Sequence, residues 1–212
     1  MKPSPASSAS QQQQRRAATR LKLLNATLDC LVNDGYPALS TRNVAERAGL
    51  SQGALQHHFR SKAALVDAAV THMVDKMLMQ AQLDLGNLDS DYQRAQLLID
   101  ILWASHNLPL TKAVLEMLLL TRHDGELAST IKRSLEKGTR LVHAAIAAHI
   151  PTLAALPGFE RWLYLTEATI RGTVIMTSVP GLDSGYAPWP EVRAEIVAGL
   201  DRLVKQGASK RA

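Results

Sequence analysis

From Ala17 onward, apolar positions recur every three or four residues, and no stretch alternates for long with the period of two that a strand needs. Ala17, Leu21, Leu24, Leu28 and Leu31 form one stripe, followed by Gly35 as a C-terminal cap and Pro37 beyond it. Ser40 or Thr41 caps a short second helix through Ala48 that ends at Gly49. Ser51 caps a third ending near His58, and Ser61 a fourth running to about Leu85. The segment GNLDSD at 86–91 reads as a linker. Further helices are expected at about 91–106, 109–123, 125–149, 158–179 and 189–206. They are punctuated by Asn107–Pro109, Asp124–Gly125, Pro151, Pro157–Gly158 and PGLDSGYAPWP at 180–190. The pattern predicts an all-α chain of about nine helices, split near residue 86. Residues 1–14, made of Pro, Ser, Ala and four consecutive glutamines, cannot bury a core and are expected to form a disordered tail. Residues 207–212 are expected to fray.

Composition changes this picture little. With 212 residues the chain is long enough to bury a core without staples, and Cys30, its single cysteine, rules out an internal disulfide framework or a multi-cysteine zinc site. Cys30 is most simply a small buried hydrophobe. No apolar run approaches the ~20 residues that span a bilayer, and the opening MKPSPASSASQQQQRR lacks the apolar segment of a secretory signal. A cytoplasmic location is expected. Charge is more informative. Residues 1–60 carry eight Lys or Arg against three acids, a surplus equal to the net +5 of the whole chain. A basic N-terminal third on a neutral body suggests a polyanion-binding module attached to something else. A solvated surface with a basic tail would give the same count.

The stretch TRNVAERAGLSQGALQHHF at 41–59 says which polyanion. Two short helices crossing through a tight turn need a small residue at the crossing, a residue of positive φ in the turn, and an apolar residue packing back. Ala45, Gly49 and Leu55 stand at those places, with Val44, Ala48, Leu50 and Phe59 completing the apolar set. Gln52, Gly53, Ala54, Gln56 and His57 are left pointing outward on the second of the two helices. They are small or hydrogen-bonding, as expected of side chains that read base edges in a major groove. An ordinary helical hairpin is the bland alternative; the caps and the basic charge favour DNA binding.

The run from Leu24 to Val70 resembles the DNA-binding domain of the TetR family of transcriptional regulators. Agreement covers about residues 17–70: Gly35–Tyr36 after the first helix, the Ala-Glu-Arg-Ala-Gly-Leu-Ser turn at 45–51, and the His-Phe-Arg-Ser-Lys-x-x-Leu junction at 58–65. The resemblance implies that Thr41 and Arg42 touch phosphates or a base. It makes Gln52, Gly53 and Ala54 base-reading positions, and His58 and Lys62 phosphate clamps. Gln56 stands where the family most often has a tyrosine that contacts the backbone; a glutamine there could read adenine instead. Arg15, Arg16 and Arg20 precede or open the first helix and are candidates for an additional DNA-contacting arm, against the alternative of a disordered tail. The implied organisation is a DNA-binding domain over 15–85 with a connecting fourth helix, and an effector-binding and dimerisation domain over 86–206.

In the second domain, polar residues within apolar runs are candidates for a ligand pocket: Trp103, His106, Glu116, His143, Glu167 and Met176. Each has a structural alternative. Trp103 and Met176 suit a core, Glu116 can pair with Arg122 or Lys112, and Glu167 with Arg171 four residues on. The stripes Leu163, Ile170, Val174 and Val192, Ile196, Leu200, Leu203 suggest a homodimer through the last two long helices, or packing within one chain. Two copies of the recognition helix then imply a palindromic double-stranded DNA operator. The nucleotide-binding, zinc-protease and serine-nucleophile motifs are all absent, and His57 and His58 diverge by about 100° on a helix. No enzyme activity, metal or cofactor is expected. The expected function is a repressor released when a small, moderately hydrophobic effector binds; the alternative is a regulator answering to a protein partner or to no effector.

Overall fold

The computed structural model describes residues 5–84, 88–120, 125–181 and 185–209. Among the described residues run ten helices and no strand: α1 (Pro5–Ala38), α2 (Thr41–Arg47), α3 (Gln52–His58), α4 (Lys62–Asp84), α5 (Asp91–His106), α6 (Pro109–Leu120), α7 (Gly125–His149), α8 (Pro151–Ala154), α9 (Phe159–Thr177) and α10 (Trp189–Ser209). The helix not foreseen is α8, a single turn opened by Pro151, whose missing N–H costs nothing at that position. Gly86 and Asn87 of the expected linker lie outside the described residues, as do Thr121–Asp124 and 182–184.

The helix ends follow their caps. Ser40 Oγ accepts from the Asn43 amide at 3.1 Å, Ser51 Oγ from Ala54 at 3.2 Å and Ser61 Oγ from Ala64 at 3.1 Å. Ser90 and Gln93 form a reciprocal capping box at the start of α5. Gly35 takes φ 72° and breaks α1 where its cap was expected. The start of α1 differs from expectation. The stretch read as a disordered tail is helical from Pro5, because Ala, Gln and Arg propagate a helix without needing a buried face. Residues 11–18 are all exposed, and so is Leu21; burial begins at Leu23.

Contacts divide the chain into two compact units, one holding the chain up to Met73 with Glu116–Ser134, the other Val74–Leu115 and the chain from Leu135 onward. The division falls inside α4, not at its end. In the first unit, Leu23, Leu31, Val44, Ala45, Leu55, Phe59, Leu65 and Val66 are at most 4% exposed and make one core. Here α2 packs on both α1 and α3.

In the second unit α5 packs on α8, α9 and α10. Arg193 of α10 grips Asp100 of α5 through Nε and Nη2 at 2.7 and 2.9 Å, and Arg94 Nε donates to the His149 carbonyl at 2.8 Å. Leu163, Ile170 and Val174 of α9 and Ile196, Leu200 and Leu203 of α10, expected at a subunit interface, are buried within the chain. An apolar stripe identifies a covered face and not what covers it. Gly207 corrects the reading of a frayed end. It is buried in α10, and a Cβ there would fall 2.5 Å from Leu156 Cδ2.

The tight turn between α2 and α3 supplies a test of the first unit. Gly49 has φ 66° with open space around its Cα, so an added Cβ meets backbone strain and no neighbour. Gly49→Ala is expected to cost about 1–2 kcal/mol in urea unfolding, and Gly49→Asn less, since asparagine tolerates this region better. Equal stability of the alanine variant and the parent would contradict the turn geometry.

Candidate functional site

A seven-residue helix cannot stand alone in water, so α3 exists because one side of it is anchored. Leu55 is fully buried, and Phe59, which ends the helix, is 4% exposed. Leu50 N–H donates to the Ala45 carbonyl at 2.9 Å, closing the turn that brings α3 onto α2. Anchoring Leu55 fixes the rotation of the helix and turns Gln52, Gly53, Gln56 and His57 to solvent, with Ala54 half-buried. The exposed face thus presents two amides, an imidazole and a bare stretch of backbone, which is a hydrogen-bonding surface suited to base edges.

The basic residues around α3 differ in how they are engaged. Arg47 Nη2 donates to Asp34 at 2.9 Å and so ties α2 to the end of α1. Arg42 Nε meets Glu46 at 3.0 Å, but both side chains are largely exposed; a pair of this kind adds little and can be exchanged for a phosphate. Thr41 is half-buried. Lys62 Nζ donates to the Tyr36 carbonyl at 2.8 Å and sits 3.8 Å from the centre of the Tyr36 ring. The expected phosphate clamp therefore also holds the start of α4 to the backbone just after the Gly35 break. Burial, with the neighbouring charges of His57, Arg16 and Arg20, holds His58 below the ordinary imidazole range. At neutral pH its imidazole is therefore uncharged.

Within the second unit, three of the six ligand candidates come together through a residue the sequence reading left as a surface partner, Arg171. Glu167 is 2% exposed and faces Arg171 Nη2 at 2.9 Å and His143 Nε2 at 3.2 Å. The His143 nitrogen is too far out of line to hydrogen-bond and is buried without a partner, while its ring meets Tyr164 edge-on at 4.7 Å. Arg171 Nε donates to His106 Nε2 at 3.3 Å, and His106 Nδ1 lies 2.8 Å from the Leu102 carbonyl. With one nitrogen accepting and the other donating, His106 must be neutral, and burial lowers its pKa accordingly. Trp103 stacks on Trp189 at 4.3 Å, Met176 is half-buried, and Glu116 is exposed. An open groove of about 650 Å³ lies elsewhere in this unit, between α9 and α10, lined among others by Trp162, Leu165, Thr169 and Ile196. None of the six candidates lines it. The sequence signal for Arg171 was its spacing of four from Glu167; what spacing could not show was that this side of α9 turns inward.

A family model described as bacterial regulatory proteins, tetR family, matches residues 23–69, from the first buried leucine of α1 to the middle of α4. Over these residues the chain carries the DNA-binding domain of this family. TetR-family members are DNA-binding transcriptional regulators, and that is the coarse function of this chain. A helix-turn-helix-type transcriptional regulator of Mycobacterium tuberculosis is 28% identical over 200 residues, 92% of this chain and 97% of its own length. The class A tetracycline repressor from transposon 1721, in Escherichia coli, is 46% identical over 52 residues, 24% of each chain. Among solved structures, a TetR-family regulator from Rhodococcus sp. superposes with TM-score 0.64 at 18% identity, covering 88% of this chain and 98% of that one. FadR of Bacillus subtilis in complex with stearoyl-CoA gives 0.62 at 15%, covering 85% and 96%. Those two share the fold. Among the described residues, no helix of this chain is long and apolar enough to cross a membrane.

Two outcomes follow from these geometries. Lys62→Ala is expected to weaken binding to every duplex alike and to lower the salt slope by about one. The same change removes its hydrogen bond and ring contact with Tyr36, for a stability loss of about 1–2 kcal/mol. An unaltered salt slope would take Lys62 out of the phosphate contacts, whatever the stability. For His106, the unfolded chain takes up a proton below the ordinary imidazole value while the folded chain resists it. Stability is therefore complete above pH 6.5 and falls as pH drops below it, by at most about 1.4 kcal/mol per unit for one proton. Urea midpoints of the parent and His106→Gln between pH 7.5 and 5.5 measure this; equal pH dependence in both would remove His106 as the cause.

Proposed function

We propose that the chain is a homodimeric repressor that binds a palindromic operator and leaves it when a small, moderately hydrophobic molecule enters the second unit. The observation that carries the DNA-reading part is the anchored α3, with Leu55 buried and Gln52, Gly53, Gln56 and His57 exposed. Dimerisation through α9 and α10 is supported by Leu165, which is 58% exposed and lines the groove between these helices. That groove is mostly apolar in its lining. A cytoplasmic location follows from this role.

Effector control is supported by the chain of His106, Arg171, Glu167 and His143. A buried carboxylate is costly unless paired, and the unpartnered His143 Nε2 offers a ligand a hydrogen bond. FadR of Bacillus subtilis, whose structure holds stearoyl-CoA, carries an apolar-tailed ligand on the same fold. Release of DNA by a factor of a thousand requires about 4 kcal/mol of preference for the unbound conformation, within reach of a drug-sized ligand. Regulation by a protein partner, or by nothing, is the second reading; it is favoured by the internal pairing of Glu167, which leaves a ligand little to compensate.

Selection from random duplex DNA tests the proposal. An inverted repeat should be enriched, and Gln52→Ala should relax one position of each half-site at a cost of about 1–3 kcal/mol on the preferred sequence. A folded protein that enriches no sequence at low salt would end the operator-binding reading. Unchanged ranked preferences in the Gln52 variant would end the assignment of α3 as the reading helix.

A further inference from the structure

We propose that the N-terminal extension of α1 is a second DNA-binding element, in which Arg15 and Arg16 bind operator phosphates outside the groove that α3 enters. This rests on the operator-binding reading above. Its first support is that the extension has no work to do inside the protein. Every residue from Gln11 to Ala18 is exposed, although each lies in regular helix. A helix polar on all sides gains nothing from the core and is held only by its own propensity.

Charge gives the second support. No Asp or Glu occurs before Asp29, whereas Arg15, Arg16, Arg20 and Lys22 fall within two turns of one another. Position gives the third. The Arg20 guanidinium lies 4.7 Å from the centre of the Phe59 ring, and Phe59 is the residue that ends α3. Arg16 sits one turn before Arg20 on the same side of α1. One helical turn along the axis from Arg20, it extends the same basic side of α1 that reaches Phe59. At about 1.5 Å per residue, the helix carries Gln12 roughly 12 Å further along its axis than Arg20. The extension therefore starts from the reading helix and continues past it. The side chains it offers are two full charges and four uncharged amides, which suit phosphate and sugar oxygens. No bulky apolar side chain from 11 to 18 is available to wedge between bases.

The test uses the full chain and the duplex recovered by selection, with affinity measured from 50 to 200 mM KCl and hydroxyl-radical footprints taken at the lowest salt. Arg15→Ala with Arg16→Ala should lower the slope of log affinity against log salt by about two per protomer. The footprint should shorten at its outer edges while the ranked base preferences stay as they were. Arg15→Lys with Arg16→Lys should keep both slope and footprint, because a phosphate responds to the charge. Both pairs replace exposed side chains outside the core, so melting temperatures should match the parent. Slope and footprint equal to the parent in the alanine pair would overturn the proposal while leaving α3 as the reader. Loss in the lysine pair as well, or altered preference at an outer base, would overturn the phosphate assignment in favour of reading in the minor groove. Failure of the parent to bind any duplex would overturn this proposal and the operator-binding reading together.

Discussion

The arrangement of the first unit depends on burying one leucine. Without Leu55 in the core formed with Val44, Ala45 and Phe59, α3 would be two turns of helix with no reason to persist. With it, rotation about the helix axis is fixed and the identity of the outward residues is decided. The turn serves the same end. Gly49 at positive φ and the Leu50-to-Ala45 hydrogen bond set where α3 starts, and Ser51 satisfies its first amides. The exposed face of α3 is thus a by-product of how a small core closes. Gln52, Gly53, Gln56 and His57 are the positions that core does not use.

Charge is arranged with similar economy. Counting cations over residues 1–60 points to a polyanion, but the cations are not equivalent. Arg47 is committed to Asp34 and Lys62 to the Tyr36 carbonyl and ring, so both hold the unit together before they can meet a ligand. Arg42 is held only by an exposed pair. The residues with the least structural work are Arg15 and Arg16, outside the core and ahead of the first buried leucine. On the proposed reading, electrostatic attraction to DNA and mechanical integrity are carried by partly different residues in this unit. That division lets the first be tested without damaging the second.

How far the sequence revealed this depended on whether a feature is local. Caps at Ser40, Ser51 and Ser61, the break at Gly35 and the turn at Gly49 are set by one or two neighbouring residues, and they were legible, whereas the Ser90 capping box fell within a stretch read as linker. So was the outward face of α3, since Leu55 alone fixes its rotation. The start of α1 is not legible from composition, because a stretch that cannot bury a core is still helical where Ala, Gln and Arg propagate the helix. Leu163, Ile170, Val174, Ile196, Leu200 and Leu203 were correctly seen as apolar faces, but periodicity carries no information on whether the covering surface belongs to the same chain. Arg171 was passed over for the same reason: a pair four residues apart looks alike on a solvated face and on a buried one. The placement of Glu116 in solvent shows the converse, a carboxylate among apolar letters that lies on the exposed side of its helix.

The pairing of buried Glu167 with the half-buried Arg171 is where energetics bear most directly on regulation. Taking a carboxylate to 2% exposure is tolerable only because Arg171 stays beside it, and Arg171 is in turn oriented by a histidine whose tautomer is set by the Leu102 carbonyl. Each group in this chain constrains the next, from α5 through α9 to His143 on α7. Apolar side chains of similar volume would hold these helices together at least as well, so stability alone does not explain ionisable groups here. What ionic pairing adds is directionality. Moving Arg171 by an ångström or two strands Glu167 and His106 at once, so intermediate positions are penalised and a small displacement becomes a choice between discrete arrangements. A ligand group able to replace Arg171 as partner to Glu167, or to use the open nitrogen of His143, would act on this linked set of groups directly.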